Sequence, residues 1–360
     1  MRTLLAAVLA VASVGVARAN EESADAYVER SDLAADVRGA ATLVVNNTRG
    51  DVRLRPSADG RLHLGVTKIV HMPNAREAHS LAARTTVQAG IVGGRYVVKV
   101  NYPDRIEAHL NFWDLFSSRG RKRFHYPSLE VLVIADVPAG MAAEVNTVSG
   151  DVGTEDITGP ATIGTVSGDV NVRGTRGASS IHTVSGSVVL EDAGSARVHT
   201  SSGDIRAAGA GALDCRTVSG DIDISAARDS LRLETSSGDV TVTEAPVGIR
   251  ARSASGELAV GTSAGRVELA SMSGDVRVRL RAPLRDADIG STSGDVLVDL
   301  VPGTSGMLGA SSTSGSIDCR APIALLKRGR NSLDARLGNG GPPIRIHSVS
   351  GDLTVTSGGK

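Results

Sequence analysis

The tetrapeptide Ser-Gly-Asp-Val, or a close variant of it, recurs along most of the chain and limits the fold more than any other feature. Its serine stands at Ser149, Ser167, Ser185, Ser202, Ser219, Ser237, Ser255, Ser273, Ser293, Ser314 and Ser350, at intervals of 18, 18, 17, 17, 18, 18, 18, 20, 21 and 36 residues. Units this short cannot each enclose a core. They bury their apolar faces only by stacking on their neighbours, which makes a solenoid. The last interval is twice 18 and predicts one degenerate coil between Ser314 and Ser350.

Alignment on the serine exposes the pattern within each unit. Three residues after it stand Val152, Val170, Val188, Ile205, Ile222, Val240, Leu258, Val276, Val296, Ile317 and Leu353. Four residues before it stand Val145, Ile163, Ile181, Val198, Cys215, Leu233, Ala251, Leu269, Ile289, Ala310 and Ile346. Most residues between these are polar, charged or small, so both flanks of the motif alternate with period two, as half-buried strands do. Each coil is therefore expected to hold two short strands. One follows the Ser-Gly turn, and the other returns from a second turn marked by Gly or Pro, as at Gly209, Pro246 and Gly303. The glycine after the serine is expected to supply a backbone conformation that other residues resist. Eleven or twelve such coils predict a stack about 55 Å long at the strand spacing.

Two residues before the serine is always a hydroxyl, from Thr147 and Thr165 to Ser312 and Ser348, and this predicts ladders hydrogen-bonded from coil to coil. Cys215 and Cys319 both occupy apolar ladder positions about five coils apart, roughly 25 Å. That is too far for a disulfide, which needs Cα atoms within about 7 Å. Both are read as small buried hydrophobes.

Aromatic residues divide the chain. Tyr27, Tyr96, Tyr102, Phe112, Trp113, Phe116, Phe124 and Tyr126 are all there are, and from Thr147 to Lys360 there is none. Lys plus Arg balances Asp plus Glu at 39 each, which argues against nucleic acid as a partner. At the start, Arg2, the apolar stretch Thr3 to Val16 and the small-x-small site Ala17-Arg18-Ala19 form the three-part pattern of a secretory signal peptide. Its apolar core is too short to span a bilayer and no second anchor is visible. Export to the periplasm, the cell surface or the medium is expected.

The Thr-Val-Ser-Gly-Asp-Val segments at 147–152 and 165–170, with Thr217 to Ile222, resemble the bacterial putative-adhesin family of exported proteins of unknown function. The likeness extends to Val44–Leu54, which looks like a first, diverged coil, and to Val131–Asn146, which looks like the family's lead-in to the repeat. The resemblance implies a single-chain β-helix of right-handed sense. The departure from it is Pro103–Pro127, an aromatic and basic insertion between two expected strands, Tyr96–Tyr102 and Leu129–Ala135, while Arg76–Arg84 can form a short helix.

Several residues are candidates for function. In the insertion, Phe112, Trp113, Leu115 and Phe116 form an apolar cluster and Arg119, Arg121, Lys122 and Arg123 a basic one. Exposed, they would dock a partner or a lipid headgroup surface. Buried, the aromatics would cap the open end of the solenoid. Asp51, Asp151, Asp169, Asp204, Asp221, Asp239, Glu257, Asp275, Asp295 and Asp352 share one register, interrupted by Ser187 and Ser316. Each is expected to cap its own turn through a local side-chain to backbone bond. A cation among stacked carboxylates is the alternative, although the nine-residue glycine-rich repeat of calcium-binding β-rolls is absent. His182 and His199 share a register in adjacent coils, with His347 farther off. No third ligand is evident, so they are read as surface residues. Arg49-Gly50-Asp51 falls where Ser-Gly-Asp falls in other coils, and its integrin-type spelling is read as coincidence.

The sequence thus predicts an all-β protein, a β-solenoid of about a dozen coils with an N-terminal β-rich cap. Residues 1–19 form the signal peptide, 20–146 the capping region with its insertion at 103–127, and 147–360 the repeat domain. The expected role is non-enzymatic: an adhesin-like binding or scaffold module without cofactor or metal, whose partner is an envelope or extracellular protein or a glycan. The alternatives are a carbohydrate-active β-helix enzyme, which needs convergent carboxylates and sugar-stacking aromatics, and a self-assembling envelope protein. The second follows from a C-terminal coil that ends at Ser357-Gly358-Gly359-Lys360 without a cap, leaving an open sheet edge.

Overall fold

The computed structural model describes residues 20–23, 26–35, 37, 39–72, 74–103 and 128–358. The expected signal peptide and nearly all of the aromatic and basic insertion lie outside them. The chain forms two compact units, residues 1–168 and 169–360.

In the first unit, the diverged coil expected at Val44–Leu54 is present. Strand Thr42–Asn47 turns at Gly50 into strand Val52–Pro56. On one side this coil stacks in parallel on Ala142–Thr147 and Val152–Glu155, with Val45 beside Val145 and Val52 beside Val152. On its other side lie Arg95–Asn101 and Ser128–Val137, also parallel. Farther out the sheet turns antiparallel, with Leu62–His71 on Ser128–Val137 and Ala26–Ala35 on Leu62–His71. A single helix among the described residues, Ala75–Arg84, starts where the Asn74 side chain accepts the N–H of Arg76 at 3.0 Å. It buries Ala78, Leu81 and Ala82, spaced for one helical face, against Val70 and Leu129.

The second unit holds two parallel ladders. The strands that precede the corner serine stack as Ser179–His182, Ala196–His199, Leu213–Arg216 and Leu231–Thr235. Those that follow it stack as Val170–Arg173, Val188–Glu191, Ile205–Ala210 and Ile222–Ala227. The alternating positions are the core: Val188, Ile205, Ile222, Val240, Leu258, Val276, Val296 and Leu353 are all within 1% of fully buried. Two closely apposed sheets leave room for aliphatic side chains about 10 Å deep, which accounts for a repeat without aromatic residues.

Three expectations need correcting. First, no degenerate coil lies between Ser314 and Ser350. Residues Ile323–Arg328 and Ser332–Leu337 form an antiparallel hairpin, and its second strand pairs antiparallel with Gly306–Ser312. Second, the coil that ends the sequence does not end the stack. Pro343–Ser348 lies between the coil segment ending at Ser291 and Gly306–Ser312, with Ile346 beside both Ile289 and Ala310. Leu353–Ser357 likewise lies between Val296–Leu300 and Ile317–Cys319. After Leu300 the chain passes over one position of the stack, builds the outer coil and hairpin, then returns to fill the position it left. Both edges of the C-terminal coil are therefore paired, and the open edge expected there is absent.

Third, the corner glycines are not needed for a left-handed backbone. Gly50 has φ +97°, but Gly220, Gly238 and Gly256 are not in that region. What excludes a side chain is the neighbouring coil: a Cβ on Gly238 would lie 1.8 Å from the carbonyl oxygen of Gly220. Both cysteines are free, but only Cys215 is buried as expected; Cys319 is half-buried, in the short outer strand Ile317–Cys319 that pairs on one side with Leu353–Ser357. Cys215 stacks between Val198 and Leu233, and burial pushes its thiol up to about 12.

Candidate functional site

The corner of each coil sets what the solenoid presents to its surroundings. The hydroxyl two residues before the serine is buried and used twice. Thr217 Oγ1 accepts the N–H of Gly220 in its own turn at 3.0 Å and donates to the carbonyl of Gly203 in the adjacent coil at 3.3 Å. Thr235, Ser253, Ser271 and Ser291 repeat the arrangement. The expected coil-to-coil ladder thus runs from hydroxyl to glycine backbone, which satisfies a donor and an acceptor that burial would otherwise leave costly.

The acidic register corrects a further expectation. Each Asp caps the next coil rather than its own turn. Asp204 accepts the N–H of Asp221, Asp221 that of Asp239, Asp239 that of Glu257, and Asp275 that of Asp295, at 2.8–3.1 Å. The series continues through the intercalated coil, where Asp295 accepts from Asp352 and Asp352 from Ser316. Backbone donors hold these carboxylates, and no cluster of three or more metal-ligating side chains occurs among the described residues.

Between hydroxyl and serine, the corner carries an exposed side chain, frequently apolar. Val148 and Val166 are 46% and 44% exposed in the first unit, and Val184, Val218, Met272 and Val349 are 46%, 53%, 62% and 49% exposed in the second. This rib is legible in the recurrent Thr-Val-Ser-Gly-Asp as an apolar residue between two polar corner positions.

Beside the rib in the second unit lies an open groove of about 650 Å³ across six coils. One wall and floor come from the register three residues before the serine: Arg216, Glu234, Arg252, Ala270, Gly290 and His347. The other wall is the rib itself, with Ser236, Ala254, Met272, Thr292 and Val349. The groove exists because Ala270 and Gly290 carry almost no side chain where their neighbours carry long ones. His347 closes one end. Its imidazole lies over Gly290, with Nδ1 3.6 Å from the Asp288 carboxylate. Arg216 is 3.4 Å from both Asp214 and Glu234, and Arg232 holds Glu234 at 2.9 Å. Arg252 forms no ion pair among the described residues and faces the groove.

His182 and His199 stand side by side, as the register predicts, with ring centroids 5.2 Å apart and planes at 76°. Burial, reinforced by His182 and Arg216, holds His199 below the usual histidine range. Arg49-Gly50-Asp51 is built into the stack. The Arg49 carbonyl accepts the N–H of Val131, Gly50 is buried, and Asp51 accepts the N–H of Asp151 at 3.1 Å. Asn47 takes the place of the corner hydroxyl here. Its amide donates to the carbonyls of Gly50 and Val131 and accepts the Tyr102 hydroxyl at 2.7 Å.

The candidate patch of Phe112, Trp113, Leu115, Phe116, Arg119, Arg121, Lys122 and Arg123 lies outside the described residues. Of the groove residues, only His347 stood out in the sequence, through the register it shares with His182 and His199. Arg216, Glu234 and Arg252 stand in that same register, three residues before the serine, which is the signal that could have joined them. His347 reaches Gly290 only through the intercalation of the last coil.

The paired ladders, corner hydroxyls and carboxylate clamps define a repeat β-solenoid protein. The Toastrack DUF4097 family model matches residues 141–279 and 249–356, together more than half of the chain, and the chain belongs to that family. No curated protein matches it. Among solved structures it is similar to a putative cell adhesion protein of Clostridium sporogenes, at 7% identity and TM-score 0.21, covering 92% of this chain and all of that one. It is also similar to putative adhesins of Bacteroides fragilis, at 9% and 0.26 over 91% and 96% of the two chains, and of Parabacteroides distasonis, at 11% and 0.27 over 92% and 97%. Likenesses this distant bear on neither ligand nor partner. Among the described residues no helix is long and apolar enough to cross a membrane.

Proposed function

We propose that the chain is a non-enzymatic exported protein of the cell envelope or exterior, an adhesin-like solenoid that binds and scaffolds a chain-like partner, an extracellular or envelope protein or a glycan. The observation that carries this reading is the groove from Arg216 to His347. Six stacked coils give it a length of about 24 Å at the strand spacing, which suits an extended segment laid along the stack. Its chemistry is mixed in the manner of a recognition surface: apolar Met272 and Val349, hydroxyls of Ser236 and Thr292, and the guanidinium of Arg252, which has no ion pair among the described residues. Among its lining residues Glu234 is the one carboxylate, and Arg216 and Arg232 hold it, whereas glycoside hydrolysis uses a pair of carboxyl groups across the scissile bond.

The test fills the groove. Ala270 is exposed on its floor, so Ala270→Trp occupies the space without entering the core. The immobilised full chain and this variant are compared for capture from envelope extract and on a panel of neutral and acidic glycans. Capture reduced tenfold or more by Ala270→Trp, at unchanged melting temperature, supports the reading. Equal capture removes the groove from consideration. Release of reducing ends from a glycan, abolished by Glu234→Gln, would establish the enzymatic alternative instead.

A further inference from the structure

The hairpin Ile323–Arg328 and Ser332–Leu337, which the repeat did not predict, has features that the coils lack. Leu325 and Leu326 are 53% and 58% exposed, adjacent in sequence, on an edge strand exposed over nearly its whole length. The hairpin also carries Lys327, Arg328, Arg330 and Arg336 against one acid, Asp334, which lies opposite Lys327 in register, so it is net +3 in a chain that is neutral overall. None of the four cations forms an ion pair among the described residues, whereas coil arginines are commonly paired, as Arg250 is with Glu268 and Arg266 with Asp286. By register Leu325 lies opposite Ala335 and Arg328 opposite Leu333, so an exposed leucine and a free guanidinium share a side.

The hairpin is held rigidly. Leu333, Ala335 and Leu337 are buried, the Asn331 side chain donates to the Thr313 carbonyl at 2.6 Å, and the Ser312 N–H donates to the Asn331 carbonyl at 3.0 Å. The apolar pair is therefore presented in a fixed place, with little ordering entropy left to lose on binding. A second β-edge is a poor occupant. The register slips between Leu325 and Lys327, leaving Leu326 as a bulge, and Lys327 and Arg328 follow at once. A bulge and clustered cations are the devices that stop one sheet edge from pairing with another. What remains is two exposed leucines followed directly by Lys327 and Arg328 on an irregular edge of a basic hairpin, which matches an interface that is apolar beneath and anionic above.

We propose that this hairpin docks the protein on anionic phospholipid bilayers, with Leu325 and Leu326 entering the acyl boundary and Lys327, Arg328, Arg330 and Arg336 meeting the phosphates. The long basic stems can extend back to the headgroups while the leucines lie deeper. Docking of this kind weakens as salt screens the charges.

The experiment is co-sedimentation of the full chain with phosphatidylcholine vesicles that contain 30% phosphatidylglycerol or none, repeated on a heparin column. One variant carries Leu325→Ser and Leu326→Ser, and the other Lys327→Gln, Arg328→Gln and Arg330→Gln. All these side chains are exposed, and melting temperature verifies that folding is kept. The wild type is expected to sediment only with anionic vesicles and less so at high salt. The basic-to-Gln variant should partition about 100-fold less, at roughly fivefold per charge. The leucine variant should lose vesicle binding while keeping its heparin retention. Vesicle binding that survives in the leucine variant, or that is equal for all three proteins, overturns the proposal. A leucine-dependent dimer seen by sedimentation velocity without vesicles also overturns it, since the leucines would then meet a second copy.

Discussion

The Oδ1 of Asp221 accepts a hydrogen bond from the backbone N–H of Asp239, one coil farther along, at 2.9 Å. The carboxylate caps its neighbour's turn, so an acidic register that would otherwise repel itself becomes a series of clamps, each spanning two coils. Glu257 stands in this row without clamping the next coil. Its longer side chain carries the carboxylate past the N–H to pair with Arg277. Asp221→Ala should therefore destabilise the chain by about 1 kcal/mol, the net worth of one such bond. Urea denaturation of the two proteins measures it.

The same clamp sets a pH dependence at the outer end of the stack. Asp352 accepts the N–H of Ser316 at 2.7 Å, and this bond holds its carboxyl below the usual value of 3.8. Its contribution is complete above that value and disappears as pH falls through the lowered one, because protonation removes the charged acceptor. Melting temperatures of wild type and Asp352→Asn should differ at neutral pH and converge as the solution is acidified below pH 3.8.

His199 responds to acid over a different range. Its folded value lies below the ordinary 6.5, chiefly through burial, so the fold favours the neutral ring. The associated stability is present above 6.5 and is lost as pH falls through the lowered value, where folding must hold off a proton that the unfolded chain binds. His199→Gln should narrow the stability difference between pH 8 and pH 5, measured by denaturant midpoint.

Corner glycines should be intolerant of even one methyl. Gly238→Ala places a Cβ 1.8 Å from the Gly220 carbonyl oxygen and should cost about 3 kcal/mol, because two coils must separate to admit it. Gly90, with nothing within 4 Å of its Cβ position, is the control, and Gly90→Ala should change stability by less than about 0.5 kcal/mol.

Intercalation of the last coil makes the outer coil depend on residues that follow it in sequence. Ile346 is buried between Ile289 and Ala310, and Ile346→Ala should cost about 3 kcal/mol. Hydrogen exchange should show protection falling across Gly306–Ser312 as well as in the mutated strand. A solenoid stacked in sequence order would instead lose protection only beyond Ile346.

The sequence by itself determined the coil. Period-two alternation around a fixed serine assigns Val188, Ile205 and Ile222 to one inward row and Val198, Cys215 and Leu233 to another, because a strand that buries one face has no other register open to it. The corner hydroxyls and exposed valines are legible for the same reason, since each coil repeats its neighbour. The tertiary structure alone decided where coils go when the repeat breaks. The 36 residues between Ser314 and Ser350 have the length of two coils, yet they form the hairpin that carries Leu325 and Leu326 and then the coil that fills the vacant position. Parallel pairing specifies what a strand presents to a neighbour but not which neighbour it finds. Equivalent apolar rows therefore allow Ile346 to stack between Ile289 and Ala310. Only that choice brings His347 over Gly290, closes the groove, and leaves the basic hairpin exposed.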